Sequence, residues 1–264
     1  MFLKNLKKKP QKTLFLELAT LIMMAEGSQS TTSEKIQKLE SKSKSYIFFQ
    51  NIDENEINVL NAYAEELEVE NIDGLFSLNS TADAEAVAIA MRHFRQNIFE
   101  QSEKDRRDIE AAINSNGFKL MTVLEEQTAS TLSEYSRLDD FKKEVMSNIF
   151  SSGEDVLNIN PAMIERFMLD TPIMKQDILK RTVKELVAVK QETIERFESK
   201  EKKIILFELI GAGYSSGHFG DDEKSLLIYI CELLSIENEY IEEFLEVSER
   251  LFAINKDLAI LINE

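Results

Sequence analysis

The two ends of this chain resemble each other, and this repetition constrains its fold more than any other feature. Near the N-terminus the sequence reads Phe15-Leu16-Glu17-Leu18, and near the C-terminus it reads Phe207-Glu208-Leu209. Farther along, residues 56–71 and 223–238 align without a gap, beginning at a Glu and ending at an Asn in both stretches. Such self-similarity indicates a repeated structural unit, so we expect one helical unit at each end of the chain.

The scarcity of helix-breaking residues predicts an all-α protein. The chain has 264 residues but only 8 Gly and 3 Pro, whereas a sheet of many strands needs many turns. We therefore expect a helical bundle with similar helical units at both ends, joined by long helices. The predicted division is an N-terminal unit over 1–80, a connecting region over 81–203 and a C-terminal unit over 204–264.

Hydrophobic periodicity and capping signals place the individual helices. Pro161 and Pro172 each follow a residue type that caps helices, which predicts a helix start at both. From Pro172 the apolar spacing predicts one long helix to about Gly211, packed in a bundle or exposed as a coiled-coil seam. We expect the last apolar residues, 258–262, to pack back onto the bundle. The remaining predicted helices cover residues 13–26, 53–69, 81–114, 118–150, 221–235 and 238–253.

The charge of the chain limits its partners. The net charge is 31 − 48 = −17, which disfavours broad nucleic-acid binding because an acidic surface repels phosphate. A run of lysines precedes the apolar stretch 14–25, but Glu17 interrupts that stretch and it is too short to span a bilayer. The single cysteine, Cys231, excludes an internal disulfide and suits a reducing cytoplasm.

The loop between Gly211 and Glu223 is the segment with the most distinctive composition. Its glycines suggest a phosphate-binding loop, but no Gly-Lys-Ser/Thr follows, and three carboxylates stand where phosphates would bind. Ser215, Ser216 and His218 lack the Gly-x-Ser-x-Gly pattern of a nucleophile elbow. The sequence therefore predicts a protein without enzymatic activity and without an organic cofactor.

The residues around this loop resemble the tellurite-resistance TerB-like domain family. The features that carry the resemblance are a Glu-Leu pair in one helix, a loop Gly, an apolar residue two positions later and a Glu six positions after the Gly. Here these residues are Glu208, Leu209, Gly217, Phe219 and Glu223. The resemblance covers 204–250 and, more weakly, 13–72. It implies an all-helical fold that acts in bacterial stress-response or phage-defence assemblies, with acidic residues that bind a divalent metal.

The candidate metal ligands have a second interpretation. Clustered carboxylates suit hard cations, which makes Glu208, Asp221, Asp222 and Glu223 the candidate set for a divalent cation. Consecutive residues of a helix point in different directions, however, and acidic residues at a helix start also cap it. In addition, many TerB-like proteins carry Asp immediately before the loop Gly, and this chain has Ser216 there.

These observations favour an adaptor or regulatory subunit of a bacterial multi-protein system. Its partners would be other proteins, and self-association into a homo-oligomer is possible. We expect contacts through the 213–223 loop and the 172–204 helix. The alternatives are a divalent-cation-binding regulatory module and an acidic inhibitor, such as an immunity protein, that masks a basic partner. The candidate partner-binding residues are Tyr214, His218, Phe219, Asp221 and Asp222.

Overall fold

A computed structural model of the chain describes residues 2–25, 52–69, 117–138 and 161–263, together with positions 48, 72, 75, 76, 141, 143, 145 and 147. These residues form helices joined by turns and short loops, with no strand among them, which confirms the all-α prediction. The predicted helix over 81–114 lies outside the described residues. The α-helices are α1 (Lys9–Ala25), α2 (Glu54–Glu66), α3 (Leu120–Tyr135), α4 (Pro161–Leu169), α5 (Pro172–Val189), α6 (Gln191–Ile194), α7 (Ser199–Gly213), α8 (Asp221–Leu233) and α9 (Asn238–Asn263), and two 3₁₀ turns cover Leu3–Asn5 and Tyr214–Ser216.

Helix α1 occupies the centre of the fold. Every residue from Leu14 to Ala25 is buried, because this part of the helix carries apolar residues on all sides that must be covered. Helices α2, α5, α7 and α8 all pack against it. The rings of Phe15 and Tyr63 meet edge to face with 5.2 Å between their centroids. The apolar stretch near the N-terminus is therefore the central core helix of the described fold.

The helices α2 and α8, which the sequence repeat pairs, begin in the same way. Glu56 accepts a hydrogen bond from the backbone amide of Asp53 at 2.7 Å, and Glu223 accepts one from Gly220 at 2.7 Å. Both glutamates are buried and stand three residues after the N-cap. In this arrangement a side chain returns to the N-cap amide and satisfies one donor that the helix leaves free.

The same two helices also end in the same way. Glu68 and Ser235 have positive φ angles of 56° and 54° at equivalent positions. The following amides, of Val69 and Ile236, donate back to carbonyls near the end of each helix at 2.8 and 2.9 Å. This is the Schellman arrangement, in which a left-handed residue reverses the chain. The repeat in the sequence therefore encodes matching ends of two helices.

The helices of the middle region belong to the same core as the two ends. Helix α5 packs against α1, α3 and α8. Its apolar seam faces inward, since Leu179, Val183 and Leu186 have no exposed surface. The bundle interpretation of this seam is therefore confirmed, and the coiled-coil interpretation is wrong for these residues. Buried side chains from all three predicted sequence regions form one cluster.

The long helix predicted from Pro172 to Gly211 is interrupted after Val189. Lys190 ends α5, a single turn follows as α6, and α7 begins at Ser199. The physical reason is that the Lys190 side chain turns into the core, where it is 9% exposed and bonded to three oxygen atoms. The start of α5 at Pro172 and of α4 at Pro161 agrees with the prediction.

Two other helix boundaries differ from the predicted ones. The helix predicted over 118–150 is interrupted after Tyr135, where Ser136 and Arg137 form a turn, and the described positions 141, 143, 145 and 147 are helical again. Helix α9 is longer than predicted and runs to Asn263. Its last described side chains do not pack back onto the bundle, since Leu258 is 49% and Leu261 is 67% exposed. Among the residues described, no helix has the length and apolar character needed to cross a membrane.

Candidate functional site

The predicted partner-binding loop is fastened to the protein by two of its own aromatic residues. Tyr214 stacks on Phe252 of α9, with ring centroids 4.3 Å apart and planes 20° from parallel. Phe219 folds back over Gly213, where an added Cβ would lie 2.3 Å from the Phe219 ring. Because Tyr214 and Phe219 are half-buried, much of their surface serves the fold. Of the five candidate partner residues, His218, Asp221 and Asp222 are the exposed ones.

The four candidate metal ligands do not converge on one point. Asp221 and Asp222 are exposed in the first turn of α8, whereas Glu223 turns inward to the amide of Gly220. Glu208 lies on α7 and accepts a hydrogen bond from the backbone amide of Phe2. No group of three or more His, Cys, Asp or Glu side chains among the described residues is arranged to hold a metal ion. The capping interpretation is confirmed for Glu223, while the N-cap itself is Gly220 rather than an aspartate.

Glu208 is a buried carboxylate that joins the chain's N-terminal segment to α7. Burial raises its pKa, and the hydrogen bond from the amide of Phe2 opposes that rise. The backbone carbonyl of the same residue accepts a hydrogen bond from the Tyr63 hydroxyl at 3.1 Å. Burial also raises the pKa of Tyr63, with Glu208 and Glu66 as further causes. These contacts hold α7 against α2, so Glu208 has a role within the fold.

A buried ion pair that sequence reasoning missed lies at the centre of the protein. The Glu17 carboxylate on α1 is fully buried and contacts the Lys190 ammonium at the end of α5. Lys190 also donates to Thr13 Oγ1 at 3.3 Å and to the Gly117 carbonyl at 3.0 Å. Burial raises the pKa of Glu17, and the neighbouring ammonium opposes that rise.

The second oxygen of the Glu17 carboxylate binds the start of α3. Glu17 Oε1 accepts hydrogen bonds from the amides of Lys119 and Leu120, the latter at 3.0 Å. A carboxylate at this position satisfies amides that a helix start leaves free and interacts favourably with the helix dipole. Glu17 therefore connects α1, α3 and the end of α5. Since each of its oxygens already has a partner and solvent is excluded, the arrangement serves to fix three helices in place.

One sequence signal could have revealed this pair. Glu17 interrupts the apolar stretch 14–25, and Lys190 interrupts the apolar seam that begins at Pro172. A charged residue at a core position is rarely buried without a partner of opposite charge. Two such interruptions of opposite sign in one chain are therefore candidates for pairing with each other, although their separation of 173 residues conceals the contact.

An exposed apolar surface lies on α9, on the side that does not face the core. Ile241 and Ser248 face inward and are buried, whereas five large aliphatic side chains along the helix are between 42% and 67% exposed. We call these five residues the apolar stripe. They are Val247, Leu251, Ile254, Leu258 and Leu261.

The position of the stripe on α9 is set by where the body of the protein ends. Helix α9 packs against α7 and α8 through its first half, where Phe244 approaches Phe207 at 6.1 Å between centroids. Phe252 is the last described residue of α9 that is partly buried. The described side chains beyond it are exposed, so the last three turns extend past the body. Soluble monomeric proteins rarely expose a continuous apolar surface, and such a surface usually marks an interaction site.

Comparisons with known proteins identify no relative. No protein-family model matches the chain, and no curated protein and no solved structure is similar to it. The resemblance to TerB-like domains consequently stays a prediction from residues 204–250 and 13–72.

Proposed function

We propose that this protein is a non-enzymatic interaction subunit, an adaptor or regulator that works through contacts with other protein chains. The observation that carries the proposal is the apolar stripe on α9. Its side chains contribute nothing to the described core, and large aliphatic groups in water are unfavourable by about 25 cal/mol per Å² of apolar surface. Covering this surface with another protein would remove that cost.

The buried polar groups support the same conclusion. Glu17, Glu208 and Glu223 each accept backbone amides, and the contacts of all three connect helix ends or chain segments. Buried carboxylates with fixed hydrogen-bonding partners are typical of a rigid fold, and a rigid fold can hold an exposed interaction surface in place. A setting in bacterial stress response or phage defence is the part of the proposal that rests on the TerB-like resemblance alone.

The experiment compares capture by three tagged baits in a host that also expresses the untagged protein. The baits are the unmodified chain, a stripe variant with Leu251→Ser and Leu258→Ser, and a loop variant with Asp221→Ala and Asp222→Ala. All altered side chains are exposed, so we expect each bait to keep its helical content in circular dichroism. Recovered proteins are quantified by mass spectrometry.

We expect the unmodified and loop baits to recover the same protein, either the untagged copy or a different chain, in near-stoichiometric amount, and the stripe bait to lose it. Loss from the loop bait alone would refute the stripe as the contact surface. Equal recovery of one protein by all three baits would likewise refute the stripe as the contact surface, and recovery of no protein beyond the bait would overturn the proposed function.

A further inference from the structure

We infer that the apolar stripe of α9 pairs with the same stripe of a second copy of this chain, with the two helices antiparallel. This inference rests on the proposed function and names the partner. The spacing of the stripe is its first support. Successive members are four, three, four and three residues apart, which is the heptad pattern of helices that pack along a shared seam.

The dimensions of the stripe suit a second helix. From Val247 to Leu261 the stripe covers 14 steps of the helix, or about 21 Å at about 1.5 Å per residue. A mean spacing of about 3.5 residues keeps the side chains on one side of the helix as it winds. A seam that is long, narrow and straight fits another helix with the same spacing better than a globular surface.

The charges beside the stripe favour a second copy as that helix. Arg250 directly precedes Leu251, and Asp257 directly precedes Leu258, so the two charges lie along the same edge of the stripe. Both side chains are exposed. Arg250 contacts Glu246 of its own helix at 3.6 Å, but both are about two-thirds exposed or more, so this ion pair contributes little.

Antiparallel pairing brings these charges together twice. If Leu251 packs beside Ile254 of the second copy, then Leu258 packs beside Val247 of that copy. In this register Arg250 of each copy lies opposite Asp257 of the other, which gives two opposite-charge contacts related by the twofold axis. A surface that complements itself in both apolar spacing and charge is what a symmetric dimer requires.

Parallel pairing lacks this complementarity. Residues at the edge that holds Arg250 would then face the opposite edge of the second copy, and Arg250 would lie beside the uncharged Asn255. Parallel helices would also bring two bodies of net charge −17 side by side, whereas antiparallel helices direct them to opposite ends of the seam. The geometry and the charge therefore select the same orientation.

The first test measures mass against concentration by sedimentation velocity. Because the seam is short, we expect the apparent mass to rise with concentration from 30.3 kDa toward twice that value. Arg250→Glu or Asp257→Arg alone should raise the dissociation constant about tenfold, and the double variant should restore it. Glu242→Arg is the matched control, because this exposed residue lies away from the stripe. A monomer at every concentration, or a double variant as weak as the single ones, would overturn the inference.

The second test identifies the orientation by disulfide trapping. Leu251→Cys and Ile254→Cys are prepared as separate proteins and oxidised alone or as a mixture. The native Cys231 is fully buried and does not interfere. Antiparallel pairing predicts a covalent dimer in the mixture and little in either protein alone. Dimers that form in each protein alone would show a parallel seam and refute the antiparallel arrangement.

The two proposals fail in distinguishable ways. If the chain stays monomeric in solution while the stripe variant loses a different captured protein, self-pairing is refuted and the interaction function stands. If the chain stays monomeric and the unmodified bait recovers no other protein, both proposals are refuted.

Discussion

Replacing Lys190 by Met tests whether the Glu17–Lys190 pair holds the core together. Methionine keeps the length and apolar stem of lysine but removes the charge that faces Glu17. The Glu17 carboxylate would keep its hydrogen bonds to the start of α3, yet remain fully buried without a cation. Breaking one side of a buried ion pair costs about 3–5 kcal/mol of the free energy of unfolding, because an uncompensated charge is left behind.

Protonation of Glu17 limits that cost and makes it depend on pH. At pH 7, protonating a carboxyl with an ordinary pKa of 4.5 costs about 3.4 kcal/mol. Replacing Lys190 by Met should therefore lower the free energy of unfolding by little more than this protonation cost. At pH 5.5 the same protonation costs about 1.4 kcal/mol. Burial already raises the folded-state pKa of Glu17 above its unfolded value, and removing Lys190 raises it further. A group whose folded-state pKa is raised contributes stability below its unfolded pKa, and that contribution is lost as the pH rises. The free energy of unfolding lost on replacing Lys190 by Met should therefore be smaller at pH 5.5 than at pH 7, by at most about 2 kcal/mol.

The assay is urea unfolding followed by far-ultraviolet circular dichroism, since the chain has no Trp to serve as a fluorescent probe. Lys184→Met is the matched control, because Lys184 lies on the same helix and is exposed, and it should change stability by less than about 0.5 kcal/mol. Adding Glu17→Gln to Lys190→Met should recover stability at pH 7 and abolish the pH dependence. A loss at Lys190→Met equal to that of the control, or one unchanged between the two pH values, would refute the reasoning.

Two further predictions concern single positions. Glu68→Gly and Ser235→Gly should each raise the free energy of unfolding by about 0.5–1 kcal/mol, because glycine adopts the positive φ of these positions without strain. Thermal melts test this prediction, and a lower melting temperature for both variants would contradict it. Burial raises the pKa of the Cys231 thiol to about 12, so a thiol-specific reagent at pH 8 should label the denatured chain and spare the native one. Native labelling as fast as that of the denatured chain would show that Cys231 is accessible.

Features that depend on neighbouring residues could be predicted from the sequence. The starts of α4 and α5 follow from a proline after a capping residue, and the matching ends of α2 and α8 follow from the repeated residues around them. The inward turn of Glu223 follows equally from its place three residues after the N-cap. In each case the physical cause lies within one or two turns of the helix.

Features that depend on distant residues could not be predicted. The end of α5 at Lys190 is caused by Glu17, which is far away in the chain and close in space. Likewise, the periodicity of α9 shows an apolar face but not whether the body reaches far enough to cover it, so Leu258 and Leu261 were expected inside. For the candidate site, the acidic residues were placed together by sequence proximity, whereas helix geometry sends Asp222 and Glu223 in different directions.

The central position of α1 has a consequence for synthesis on the ribosome. This helix emerges before all the helices that cover it, and two of them, α7 and α8, are synthesised much later. At about 5–20 residues per second, the ribosome needs about 10–40 s to progress from Ala25 to Leu233. During that interval a helix with apolar residues on every side has no complete cover, so the nascent chain should depend on chaperones that bind exposed apolar segments. The core around α1 would thus be complete only when α8 has left the exit tunnel.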